Sequence, residues 1–269
     1  MSYRIRKSII SWILSTKFII GIFIGLVGYL IYLNDWINLF RSSNLPCNIF
    51  EPYIYSATDK WAVNASIGGL LFAISDIPFI DSKEGYCIYR TTKLVWLVEK
   101  IYFLCVSVLI YCFGISLIMI AFSAPLSYIT NQWSDLMSIL AGSPIGKMYF
   151  NNTYIISNLT PLECFGICCL LNFLYMLMLS FIAFGMSFFK GKAVAFSVVL
   201  FFQALQYYLT IILRKTYFFS CFKNTLVVYC TQYISKDILQ AVIFDLIIII
   251  SMIFLLMINK NKVEYWMKG

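Results

Sequence analysis

The chain has no histidine. That absence removes imidazole proton relays, haem or metal ligation through a ring nitrogen, and every Ser-His or Cys-His catalytic pair. Charge is scarce too. Only 12% of the 269 residues are charged, where soluble domains carry about 25%. Lipid must therefore replace water around much of the surface. There is no Cys-x-x-Cys pair among the nine cysteines, which stand at 47, 87, 105, 112, 164, 168, 169, 221 and 230. A disulfide framework is not expected, because most of them fall within apolar runs; spacing alone leaves Cys221 with Cys230 open. Cys168 and Cys169 read as small core residues. Nor is there a GxxxxGK(S/T) phosphate cradle, so no P-loop ATP site is expected on this chain.

What the chain does have is apolar length. The composition is 61% hydrophobic, with mean hydropathy +0.85. A bilayer crossing takes about 20 apolar residues. Six stretches are read as spans, at about 17–37, 61–77, 97–122, 162–189, 193–213 and 238–258. The sequence thus predicts an all-α membrane protein of one domain, with no soluble catalytic domain beside it. The run at 61–77 is the weakest. It holds Asn64, Ser66, Gly68 and Gly69, small and polar residues that let a neighbouring helix come close. The apolar run from Phe18 to Leu33 is too long for a signal-peptide core, and no small-x-small site follows it. It is read as a retained first helix.

Residues 3–14 set Arg4, Arg6 and Lys7 against Ile5, Ile9, Ile10, Trp12 and Ile13, the pattern of an amphipathic helix lying on the inner membrane surface. With the N-terminus inside, the short inner pieces hold 13 of the 20 Lys and Arg residues. That bias predicts both termini in the cytoplasm. The net charge of +8 is read as this topological signal rather than a nucleic-acid footprint. Asn-x-Ser/Thr triplets at Asn64, Asn151 and Asn158 are read as chance, and no glycans are assigned.

Inside the spans, Asp245 is the acid set deepest in an apolar run. Insertion scales charge about 2.5–3.5 kcal/mol for such a group, so it should face protein or water. It is read either as a substrate-pathway or proton-linked residue, or as an acid paired with Arg214 or Lys215. Asn172, Gln203 and Gln206 are read as interhelical hydrogen-bonding groups first and pathway residues second. Glu163, at the start of the fourth span, is read as a cap.

The link between the second and third spans is longer than a simple return needs. Pro78 stops the preceding helix. Asp81 and Glu84 have capping-box spacing. Tyr86, Ile88 and Tyr89 cluster with Arg90 and Lys93, and Trp96 marks a membrane interface. A short amphipathic helix here can dock in a partner's groove or lie on lipid.

The run Ser75-Asp76-Ile77-Pro78-Phe79, followed by Tyr89-Arg90-x-x-Lys93-x-x-Trp96 and Tyr102, resembles the intracellular segment of bacterial type-2 ATP-binding-cassette (ABC) transporter permease subunits. Members carry similar SD-x-PF and YR-x-x-(R/K)-x-x-W wording between spans two and three. The topology matches over most of the chain, the wording only over this link. The resemblance implies a coupling helix within the segment 78–96 that contacts a separate P-loop ATPase through residues 81–93. Glu84, Tyr86, Tyr89, Arg90 and Lys93 would carry that contact. Gly85, a poor helix former, departs from the pattern and blurs where the helix starts.

The resemblance also implies that ATP and magnesium sit on the partner. The membrane portion would be completed by a second copy or a related six-span permease in a bacterial plasma membrane. The function expected is export of an amphipathic peptide, such as a bacteriocin, or a lipid-like molecule, along a pathway that includes Asp245, Gln203, Gln206 and Asn172. The alternative is a non-transporting accessory or immunity protein. An intramembrane enzyme fits poorly. Paired Glu and His are absent, Ser-His is absent, and an aspartyl mechanism wants two facing acids where only Asp245 qualifies.

Overall fold

A computed structural model describes residues 2–43, 45–76, 92–142, 153–212, 221–230 and 232–259. The chain folds as helices α1 (Ser2–Ile13), α2 (Thr16–Ser43), α3 (Glu51–Ala57), α4 (Lys60–Ala73), α5 (Lys93–Ser123), α6 (Asp135–Gly142), α7 (Thr153–Asn158), α8 (Pro161–Lys190), α9 (Lys192–Ile212), α10 (Cys221–Thr225) and α11 (Ile234–Ile258). Two short strands, β1 (Cys47–Asn48) and β2 (Ser127–Tyr128), pair in parallel. Among the described residues five helices are long and apolar enough to cross a membrane: α2, α5, α8, α9 and α11. This is an all-α membrane architecture.

The expected second span is shorter than the sequence suggests. Its helix, α4, has 14 residues, about 21 Å at 1.5 Å per residue, against a hydrocarbon core of about 30 Å. Asp59 fixes its start by accepting from the Trp61 and Ala62 amides at 2.6 and 3.2 Å. Its end comes at Ile74, followed by a turn.

Helix α8 is the centre of the bundle. Its span is 72% buried within the protein, against 22% for α9 and α11. A reciprocal capping box opens it: Thr160 Oγ1 accepts from the Glu163 amide and Glu163 Oε2 accepts from the Thr160 amide. Glu163 is thus the cap the sequence suggested. At the other end Gly191, with φ 90°, makes the tight turn into α9.

Small residues bring α2 and α4 together. A Cβ at Gly21 would meet the Gly69 carbonyl oxygen at 2.5 Å and Ala73 Cβ at 2.7 Å, and one at Gly28 would meet Ala65 Cβ at 2.6 Å. Tyr111 from α5 closes the seam, donating to the Ser66 carbonyl at 2.8 Å. With no hydrophobic drive between helices in lipid, such backbone proximity is what holds them.

At one end of the bundle, Trp12 anchors α1. Its Nε1–H donates to the Ala73 carbonyl at 2.9 Å, and its ring meets Phe18 and Phe103. Arg6, Lys7 and Ile10 stay exposed. Beside it, Lys17 at the start of α2 pairs with Asp76 at 2.5 Å. Trp96 is buried at 2% exposure. It packs inside the bundle and not on the surface as an interface anchor.

At the opposite end the segments 45–58, 124–142 and 153–160 form a cap. Buried Glu51 ties them, accepting from the Asn48 amide at 3.1 Å, the Ser134 amide at 2.7 Å and the Ser134 hydroxyl at 2.8 Å. Asn48 Nδ2 donates to the Thr130 and Gln132 carbonyls at 2.6 and 2.9 Å. Burial pushes the Glu51 carboxyl above its ordinary value, and the Ser134 and Asn48 hydrogen bonds oppose that shift.

Candidate functional site

The described residues bring one polar chain together inside the spans. Asn64 of α4 donates its Nδ2–H to the Lys60 carbonyl at 2.8 Å. Gln203 of α9 donates its Nε2–H to Asn64 Oδ1 at 2.7 Å. Tyr175 of α8 donates its hydroxyl to Gln203 Oε1 at 2.5 Å. Side-chain hydrogen bonds thus join α4, α8 and α9. Tyr175 is wholly buried, and the Phe222 ring of α10 lies 5.8 Å from its own.

Asp245 lies near the midpoint of α11, which runs Ile234–Ile258, and not near a helix end. It is 3% exposed, and its helix packs against α8 and α10, which carry Tyr175 and Cys221. Among the described residues it makes no hydrogen bond or ion pair. Arg214 and Lys215, which the sequence offered as its partners, lie outside the described residues.

Asn172 is three residues before Tyr175 on α8, hence on the same helix face. It is buried, and neither of its amide atoms meets a partner among the described residues. Gln206, one turn beyond Gln203, is buried as well. Of the four expected pathway residues, Gln203 is built into the chain, and Asp245 makes no hydrogen bond to it. Asn172 and Gln206 stand one turn away along their helices.

Sequence reasoning missed Tyr175, which lay hidden among 19 tyrosines, and the role of Asn64. The one available signal was a polar residue in an apolar run, and tyrosine is ambiguous there.

A mouth of charged and aromatic groups lies at the Lys60 end of the chain. Lys60 Nζ stands 5.5 Å over the Tyr229 ring, and the Trp61 and Tyr207 rings are 5.4 Å apart. Tyr32 lies beside Asp59.

Glu84, Tyr86, Tyr89 and Arg90, and the coupling helix they were assigned to, lie outside the described residues. Lys93 is the first residue of α5, half-buried. Thr92 caps that helix by accepting from the Val95 amide at 3.4 Å. Cys221 and Cys230 are not joined by a disulfide. No group of His, Cys, Asp or Glu among the described residues is arranged to hold a metal ion.

No known protein family, curated protein or solved structure matches this chain.

Proposed function

We propose that the chain is the membrane-spanning permease subunit of an ABC exporter, working with a separate P-loop ATPase. The observation that carries this reading is the wording of the link from Ser75 to Trp96, set between the second and third apolar segments. Two features support it. The amphipathic helix α1 is tied by Trp12 to the end of α4, where Asp76 opens the link and pairs with Lys17. The bundle also holds a buried polar chain that a passing solute can meet between α4, α8, α9 and α11.

In this reading α4 is the second of six crossings. Its 14 residues are accommodated by close packing against α2 and by local thinning of the bilayer. Both termini face the cytoplasm of a bacterial cell, as the excess of Lys and Arg on the inner pieces indicates. The chain performs no covalent chemistry. ATP binding on the partner moves the link, and the link moves the bundle as a rigid body, exposing the polar chain to alternate sides. The substrate class that suits an aromatic, apolar pathway is an amphipathic peptide or lipid-like molecule.

The test is purification of the tagged chain in mild detergent, with mass spectrometry of what accompanies it. A stoichiometric P-loop ATPase, with or without a second six-span chain, supports the permease reading. A monodisperse chain without an ATPase overturns it in favour of an accessory role.

A further inference from the structure

The polar chain has a direction, and one fixed atom sets it. The Lys60 carbonyl can only accept, so Asn64 must turn its Nδ2–H toward it and leave Oδ1 to accept. Gln203 must then present Nε2–H to Asn64 and Oε1 to Tyr175. Tyr175 has one hydroxyl proton, and it is committed to Gln203. Every hydrogen bond of the chain therefore runs in one direction, toward Lys60. Among the described residues nothing donates to the Tyr175 oxygen or to the Asp245 carboxyl.

An ionised Asp245 would thus sit buried in the middle of α11 with no donor and no cation among the described residues. A charge at that depth needs a partner. The helices packed on α11 are α8 and α10. The titratable groups that face Asp245 from them are Tyr175 and Cys221, and both are ordinarily uncharged near neutral pH. A neutral carboxyl meets these surroundings without conflict.

We propose that Asp245 is a proton-binding site within the membrane, neutral in this conformation. Loss of the proton leaves an acid that the chain does not solvate, so ionisation favours a rearrangement that brings a cation or water to Asp245. The inference rests on the membrane architecture and not on the exporter reading. ATPase co-purification tests that reading separately.

The probe is dicyclohexylcarbodiimide, an apolar reagent selective for protonated carboxyls in lipid. The acid gives its proton to a carbodiimide nitrogen and its oxygen to the central carbon, and the adduct rearranges to a stable N-acylurea. The full-length chain in liposomes is labelled at about pH 6 and about pH 9, either side of neutrality, and mapped by peptide mass spectrometry. The expected result is an adduct on the peptide holding Asp245, severalfold stronger at the lower pH and absent in Asp245→Asn. No adduct at Asp245 at either pH would overturn the proposal, because an acid held ionised by a cation does not react. Wild-type labelling decides the question even if a variant fails to fold.

Discussion

Tyr175 gives its only hydroxyl proton to Gln203 Oε1 at 2.5 Å, and so has none to offer Asp245 on the neighbouring helix α11. The bond spans the α8–α9 interface, and its direction follows from a backbone carbonyl two links away. The consequences differ for the two neighbours. Gln203 is satisfied on both sides, while Asp245 is left to supply its own donor.

Removing either partner of that bond should be measurable but modest. Tyr175→Phe and Gln203→Leu are each expected to cost about 1–2 kcal/mol, with a coupling between them nearer 0.6 kcal/mol, as is usual for hydrogen bonds between membrane helices. A double-mutant cycle on detergent-solubilised protein checks this. Strict additivity would mean that the bond does not form in solution.

The α2–α4 seam should be intolerant of even one methyl group. Gly21→Ala places a carbon against the Gly69 carbonyl oxygen and Ala73 Cβ, and is expected to destabilise by about 1–3 kcal/mol. Gly166→Ala, on α8 with open space around it, should be neutral or stabilising by up to about 1 kcal/mol. Thermal midpoints of the two variants, compared side by side, give the contrast. Equal effects would rule out the close seam.

Glu51 should make the cap sensitive to pH. Burial raises its carboxyl above the usual 4.5, so the folded state holds the proton more tightly than the unfolded chain. The stability this linkage contributes is fully present below the ordinary value and is lost as pH rises through the raised one. The thermal midpoint should therefore decline from mildly acid toward neutral pH. Glu51→Gln should lower stability at all pH, since one acceptor is lost, and should flatten that decline. An unaltered slope in the variant would assign the effect to another group.

The proposed coupling contact is open to charge reversal. Tyr89→Asp with Arg90→Glu should abolish ATP turnover that depends on the permease, while membrane insertion remains normal. Wild-type turnover in that double variant, measured with the co-purified ATPase, would remove the link from the coupling role.

The sequence alone determined where the long helices run. Apolar length sets them, and the expected spans at 17–37, 97–122, 162–189, 193–213 and 238–258 fall within α2, α5, α8, α9 and α11, or within a residue of their ends. The cap at Glu163 was legible too, because capping is local chemistry within four residues. The amphipathic N-terminal helix was legible from its period. What only the tertiary structure decided is which polar residues meet. Asn64, Tyr175 and Gln203 are 111 and 28 residues apart in sequence, and nothing local marks them as partners. The cap around Glu51 joins residues 83 apart, and each half alone reads as loop. Asp245 was visible as an acid in an apolar run, but its surroundings were not. Periodicity reports only that a residue must be buried. Helix packing sets which donors and acceptors are buried with it, and so whether an acid there finds a partner.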